Sequence, residues 1–394
     1  MMLIDTYTFR DTIHRCFRCG YCKFPATWTD VNNCPPYARF RMESYSCGGR
    51  LWLTRAWLSE KLDWSEHIAE ILYSCTMCRN CEIKCPLSFN INIVNMVVAA
   101  RGEMIERGKV PPAVKRFLEN IHVHGNPYGN ARSKRGAWAE GTAIEQYKDQ
   151  EYLFYVGCTG SYDTRASISS RTLGLLFGEA GISFGVLGND ENCDGNEVDK
   201  LGEAGLFEML AEDNIERFNS LGIEKIVTLS PHAYNAMRDL YPRYGGKYMV
   251  LHYTQMLLKL IEEGKLDVSK GFDAQVTFHD PCFLGRWNGE YEAPRRLLRK
   301  VPHLRLTEME KNRDSALCCG GGAGNFEIDL LGGSDSSPAR RRVREAAETG
   351  AGVLAVACPK CLIMLEDAVK AEELEGTIAV KNISEIVAAA CGLL

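Results

Sequence analysis

The chain has 394 residues, 45% of them hydrophobic and 25% charged, with a formal net charge of −5. That length exceeds one ordinary core and predicts two or three domains. The mild acidity and the lack of a long basic run argue against nucleic acid, and no run of 18 or more apolar residues is present to form a transmembrane segment.

The N-terminal stretch M-M-L-I-D-T-Y-T-F-R-D carries acidic residues and no apolar core of a secretory signal, so a cytoplasmic location is expected. Seventeen cysteines in such a chain point to metal ligation rather than a disulfide framework. The first group, Cys16, Cys19 and Cys22, is a C-x2-C-x2-C run, with Cys34 following before Pro35. The second, Cys75, Cys78, Cys81 and Cys85 before Pro86, has the bacterial ferredoxin spacing. A C-x2-C-x2-C turn wraps three corners of a cubane, and in two-cluster ferredoxins the fourth cysteine serves the other cluster. One [4Fe-4S] cluster is therefore assigned to Cys16, Cys19, Cys22 and Cys85, and a second to Cys75, Cys78, Cys81 and Cys34. A pair of zinc knuckles is the alternative, but zinc sites seldom carry this run twice. Cys47 reads as a spare thiol, since eight others satisfy both cubanes.

Between the runs, Leu51, Leu53, Trp57 and Leu58, then Ile68, Ile71 and Leu72, recur at helical spacing. Two helices there would bury the cubanes between them. A further helical pattern covers Ile91 to Leu118, broken at Gly108 to Pro112. The turn-rich segment after it reads as a linker ending near Asp149. The expected division is 1–149, 150–270 and 271–394.

From Glu151 onward one pattern occurs twice. Copy one runs from L-F-Y-V-G-Cys158 through N-Cys193-Asp194-Gly195 to Ser230-Pro231-His232-Ala233. Copy two runs from His279-Asp280-Pro281-Cys282 through Cys318-Cys319-Gly320 to Cys358-Pro359-Lys360-Cys361. The first two thiols are 35 residues apart in one copy and 36 in the other. Apolar β-branched runs end at these cysteines, and helical patterns such as S-S-R-T-L-G-L-L-F-G-E-A and P-A-R-R-R-V-R-E-A-A fill the gaps. Strands alternating with helices predict parallel α/β layers, with ligand groups at the carboxyl ends of strands. The fold class is thus a helical ferredoxin-like unit followed by two α/β repeats.

Copy two gathers Cys282, Cys318, Cys319, Cys358 and Cys361, one thiol more than a zinc ion or an ordinary cubane takes. The adjacent pair and the Gly-rich turn after it suit an inorganic centre, with N–H donors expected from Gly320, Gly321, Gly322 and Gly324. Copy one keeps only Cys158 and Cys193. With Asp194 and His232 these could hold one zinc, and the plainer reading is a scaffold that has lost its site. His279, Asp280 and His232 are candidates for proton handling or catalysis, although a pair such as 279–280 also caps strand ends. Trp28 and Trp287 read as cluster shielding or partner-facing surface. No G-x-G-x-x-G fingerprint opens a helix, so no NAD or FAD is expected. Cys391 reads as a buried apolar thiol in the last helix.

These motifs, with G-N-P-Y-G at 125–129 and H-D-P-C at 279–282, resemble the CCG-domain iron–sulfur proteins, specifically the D subunit of heterodisulfide reductase and its relatives. The resemblance implies that a complete C…CCG…CxxC repeat binds a noncubane [4Fe-4S] cluster through five cysteines. Only Cys282, Cys318, Cys319, Cys358 and Cys361 match it, because Asp194, Ser230 and Ala233 replace three thiols in copy one. It further implies an electron-relay subunit working with flavoprotein or iron–sulfur partners. Similar chains include the D subunit of tungsten-dependent (class II) benzoyl-CoA reductase and iron–sulfur subunits of glycolate or lactate oxidation. The competing function is catalysis, with a disulfide or quinone reduced in a pocket lined by His232, His279 or Phe283.

Overall fold

The computed structural model describes residues 9–24, 33–87 and 93–394. Trp28 and Ile91 lie outside them. The N-terminal unit is helical: Cys47–Leu58 and Glu66–Tyr73 connect the cysteine runs, each opened by a serine (Ser46, Ser65) whose hydroxyl accepts from a backbone N–H of the first turn. Ile93–Glu106 and Pro112–His124 follow, separated where Gly108 and Pro112 were expected to break the pattern. Proline at the first position starts the second of these helices without losing a hydrogen bond.

Two four-stranded parallel sheets make up the rest. The first contains β1 (Tyr152–Tyr155), β2 (Phe184–Gly185), β3 (Lys225–Thr228) and β4 (Met249–His252) in the order β2-β1-β3-β4. The second contains β5 (Ala274–His279), β6 (Leu304–Leu306), β7 (Val353–Val356) and β8 (Ala379–Asn382) in the order β6-β5-β7-β8. The identical order makes the duplication structural. It reaches the last strand of each sheet, where His252 with Gln255 and Asn382 with Glu385 form equivalent capping boxes. The central strands β1 and β7 are buried along their whole length, as parallel strands between helices should be.

One apolar core joins the sheets through β1, β5 and β7 and the helices Tyr253–Glu262 and Ile383–Cys391. Another joins the N-terminal helices to the first repeat. Residues 125–149 are not a free linker. Asn126, Arg135 and Trp138 are buried, and Gln146 bridges to Val186 beside the first sheet. Cys391 sits in the last helix but is half-buried rather than buried, because it occupies the final turn. Among the described residues no helix is long and apolar enough to cross a membrane.

Candidate iron–sulfur site

The two C-x2-C-x2-C loops fold alike. Arg18 and Gly20 in one, and Met77 and Arg79 in the other, take left-handed backbone at matching places around the middle cysteine. Such alternation turns successive side chains toward one centre and aims backbone N–H groups inward. Cys16, Cys19, Cys22 and Cys85 line one cavity of about 410 Å³, with Cys47, Gly48 and Leu51 in its wall. A β-carbon at Gly48 would stand 3.8 Å from the Cys16 sulfur. The Trp52 indole N–H donates to the Cys16 carbonyl at 2.8 Å. Four soft donors around one hollow fit the thiolate set of a cubane.

Cys34 caps the helix Pro35–Phe40 and is buried, which pushes its thiol up to about 12. It lies within electrostatic reach of Cys75 and also of Cys22. Buried Arg101 ties the second loop down by donating to the carbonyls of Leu72, Tyr73 and Cys75. Sequence reasoning sets Cys47 aside, yet it lines the same hollow as Cys22 and lies within electrostatic reach of both Cys22 and Cys81, one thiol from each set. Its only signal is its place before Gly48 and Gly49. A β-carbon at Gly49 would collide with the Glu43 carbonyl.

The five thiols of copy two are all buried. Cys319 lies 3.4 Å from Cys361 and clusters with Cys358, while Cys318 clusters with Cys282. Cys282 follows β5, and Cys358 caps the helix Pro359–Ala371 after β7, so both sit at carboxyl ends of strands. The glycines divide their work. Gly320, at φ +91°, donates its N–H to the Cys318 sulfur at 3.3 Å, and Gly321 N–H reaches Cys319. Gly322 instead packs against the Thr76 carbonyl of the N-terminal unit. Gly324 N–H goes to Glu197 of copy one at 2.7 Å.

Cys78 of the second ferredoxin-like set packs in one buried cluster with Cys318 and Cys282 of the five-thiol set. Thr76 Oγ1 lies 3.6 Å from the Cys318 sulfur. Arg286 holds this junction: it is buried and donates to the carbonyls of Cys78, Asp314 and Ala316. Trp287 Nε1 adds a bond to the Met77 carbonyl at 2.8 Å.

His279 brings a ring nitrogen within 4.8 Å of the Cys319 and Cys361 sulfurs. Burial, helped by the nearby Arg342 charge, lowers its pKa to about 3. Asp280 is clamped by Arg295 at 2.6 and 2.9 Å and accepts from Arg313 N–H. Burial opposes its charge, but these bonds hold it below the ordinary carboxylate range. It is a structural anchor at the strand end. His232 has Nδ1 2.5 Å from Glu197, lies within electrostatic reach of Cys358 and sets its ring at a tilt of 35° against Phe283. Burial and Lys360 push its pKa down, but Glu197 and Cys358 outweigh them and raise it. Lys360, between the last two thiols, donates to the same Glu197 oxygen at 2.6 Å. Phe283 is buried and lies between His232 and Trp287, covering the five-thiol set on that side.

In copy one, the free thiols Cys158 and Cys193 lie within electrostatic reach of each other; Cys158 donates to the Gly125 carbonyl at 3.8 Å, and Arg135 stands 3.5 Å from its sulfur. Among the described residues no third Cys, His, Asp or Glu ligand atom joins that pair within 4.8 Å. Residues 12–89 match the 4Fe-4S dicluster domain, and the cysteine-rich CCG domain matches twice, over residues 152–238 and 276–366. The probable iron-sulfur-binding oxidoreductase FadF of Bacillus subtilis is 36% identical over 81% of this chain and 46% of that protein. EtfAB:quinone oxidoreductase of Syntrophomonas wolfei is 34% identical over 81% and 46%. The chain thus spans about half the length of these two relatives. The D subunit of the dihydromethanophenazine:CoB–CoM heterodisulfide reductase of Methanosarcina barkeri is 30% identical over 96% of this chain and 94% of that one. Paired cysteine sets, duplicated parallel sheets and near full-length similarity agree: the chain belongs to the heterodisulfide reductase D-like family of CCG-domain iron–sulfur oxidoreductases.

Proposed function

We propose that this chain is the electron-relay subunit of a larger cytoplasmic oxidoreductase, carrying two cubane clusters and one noncubane [4Fe-4S] cluster. Cys16, Cys19, Cys22 and Cys85 hold the first cubane, and Cys34, Cys75, Cys78 and Cys81 the second. Cys282, Cys318, Cys319, Cys358 and Cys361 hold the noncubane cluster. Such clusters supply one-electron storage at potentials set by burial and by hydrogen bonds to sulfur.

The contact between Cys78 and Cys318 carries this reading. It sets a ligand of the ferredoxin-like unit against a ligand of the second repeat, and Arg286 and Trp287 fasten the two loops together. Around the five-thiol set, Gly320 and Gly321 aim N–H groups at sulfur, which lowers the cost of negative charge there. Phe283 and Trp287 keep water from one face. A buried site closed in this way favours passing electrons to a redox partner, either a flavoprotein or another iron–sulfur subunit, over binding a substrate directly.

The test is Cys319→Ser in the anaerobically purified protein, followed by electron paramagnetic resonance. One signal should vanish and the two ferredoxin-like signals should remain. Turnover of a soluble disulfide or quinone by the pre-reduced chain without partners would contradict the relay.

A further inference from the structure

We propose that Cys158 and Cys193 form a buried two-electron redox couple in the first repeat, interconverting between dithiol and disulfide. It needs the chain to supply electrons but not a particular number or type of clusters.

The repeat places Cys158 where copy two has Cys282, and Cys193 where it has Cys318. Nothing replaces the other three thiols as a donor to this pair. Asp194 is engaged by the Asn196 N–H at 2.8 Å, Ser230 caps the His232 N–H, and Ala233 has no donor. Two buried sulfurs within electrostatic reach of each other remain, lining one hollow, with Cys158 donating to the Gly125 carbonyl at 3.8 Å and no third ligand atom beside them among the described residues. A pair of thiols alone is too small a set for zinc or a cluster. It is the set a disulfide needs.

The surroundings hold the two loops at fixed separation. Glu191, two residues before Cys193, accepts from the N–H groups of Val156 and Gly157, each at 2.9 Å, just before Cys158. Tyr155 donates its hydroxyl to the Asn192 carbonyl at 2.5 Å. Asn214 donates to the Cys193 carbonyl at 2.9 Å. Arg135 is buried with Glu191 as its partner at 2.8 Å, and its other terminal nitrogen faces the Cys158 sulfur. A guanidinium there stabilises the thiolate, the form from which a disulfide closes.

Both cysteines line a cavity of about 390 Å³, its mouth included, whose far wall carries Pro359 and Lys360 of the C-P-K-C turn. The couple therefore shares a hollow with the five-thiol loop. Reduction breaks the Cys158–Cys193 S–S bond, takes up two electrons and two protons, and leaves two thiols. The electrons would be supplied singly by iron–sulfur centres held on the chain's clustered cysteines, and the protons by water through the cavity mouth. Oxidation reverses each transfer. The couple would let one-electron carriers meet a two-electron partner.

The test poises the anaerobic full chain in dithiothreitol and glutathione redox buffers. Free thiols are blocked with N-ethylmaleimide, and the peptides bearing Cys158 and Cys193 are read by mass spectrometry. The two should change together with a two-electron slope, cross-linked when oxidised. Cys158→Ser should leave Cys193 free at every potential, with zinc and iron content equal to wild type. The wild-type titration needs no variant to fold. Thiols that stay free throughout would overturn the proposal. So would stoichiometric zinc or iron lost in Cys158→Ser. The readout is a peptide mass, so it stands or falls separately from the cluster count.

Discussion

A β-carbon at position 322 would stand 2.4 Å from the Thr76 carbonyl oxygen. That glycine lets the second repeat touch the ferredoxin-like unit, and Gly322→Ala should cost about 1–3 kcal/mol through overpacking. The expected result is a lower melting temperature with iron content retained. His252 gives a pH-dependent counterpart. Burial lowers its pKa to about 3, while the unfolded chain protonates near the ordinary imidazole value. Below that value the unfolded state binds a proton that the folded state refuses. Stability is therefore complete above it and is lost toward about pH 3 by up to about 1.4 kcal/mol per unit. His252→Asn keeps a side-chain acceptor at the helix start, as Asn382 does in copy two, and should remove that slope from denaturant midpoints measured against pH.

Between elements, a buried ion pair ties the repeats together, from the short helix Asn196–Leu201 to the helix Pro359–Ala371. Glu197 bridges them, with its charge answered by Lys360 and His232. Glu197→Ala leaves the buried Lys360 ammonium without its carboxylate and should destabilise the protein by about 3–5 kcal/mol in equilibrium unfolding. Sequence alone could not reveal this bridge, because Glu197 and Lys360 are 163 residues apart and neither stands in a pattern of its own. What could be read were local regularities: cysteine spacing, helical periodicity and the apolar runs of β1, β3, β5 and β7. The outer strands escaped because β2 has two residues and β6 three, too short for a pattern. The matching capping boxes after β4 and β8 were the signal that would have found two of them. Residues 125–149 read as a linker because Arg135 is buried by Glu191, 56 positions away.

At the scale of the molecule, a helical unit and two sheets converge on thiols from distant parts of the chain. Spacing suggested how they group into sets but could not reveal the meeting of Cys78 with Cys318, since that depends on how the units dock. Arg286 shows why: its three carbonyl partners belong to two units. Anaerobic quantification of iron, acid-labile sulfide and zinc in the purified chain is the most direct measurement of the central claim. Three four-iron clusters give about twelve irons per chain, an equal amount of sulfide and negligible zinc. About eight irons, or one zinc per chain in place of the third cluster, would contradict it.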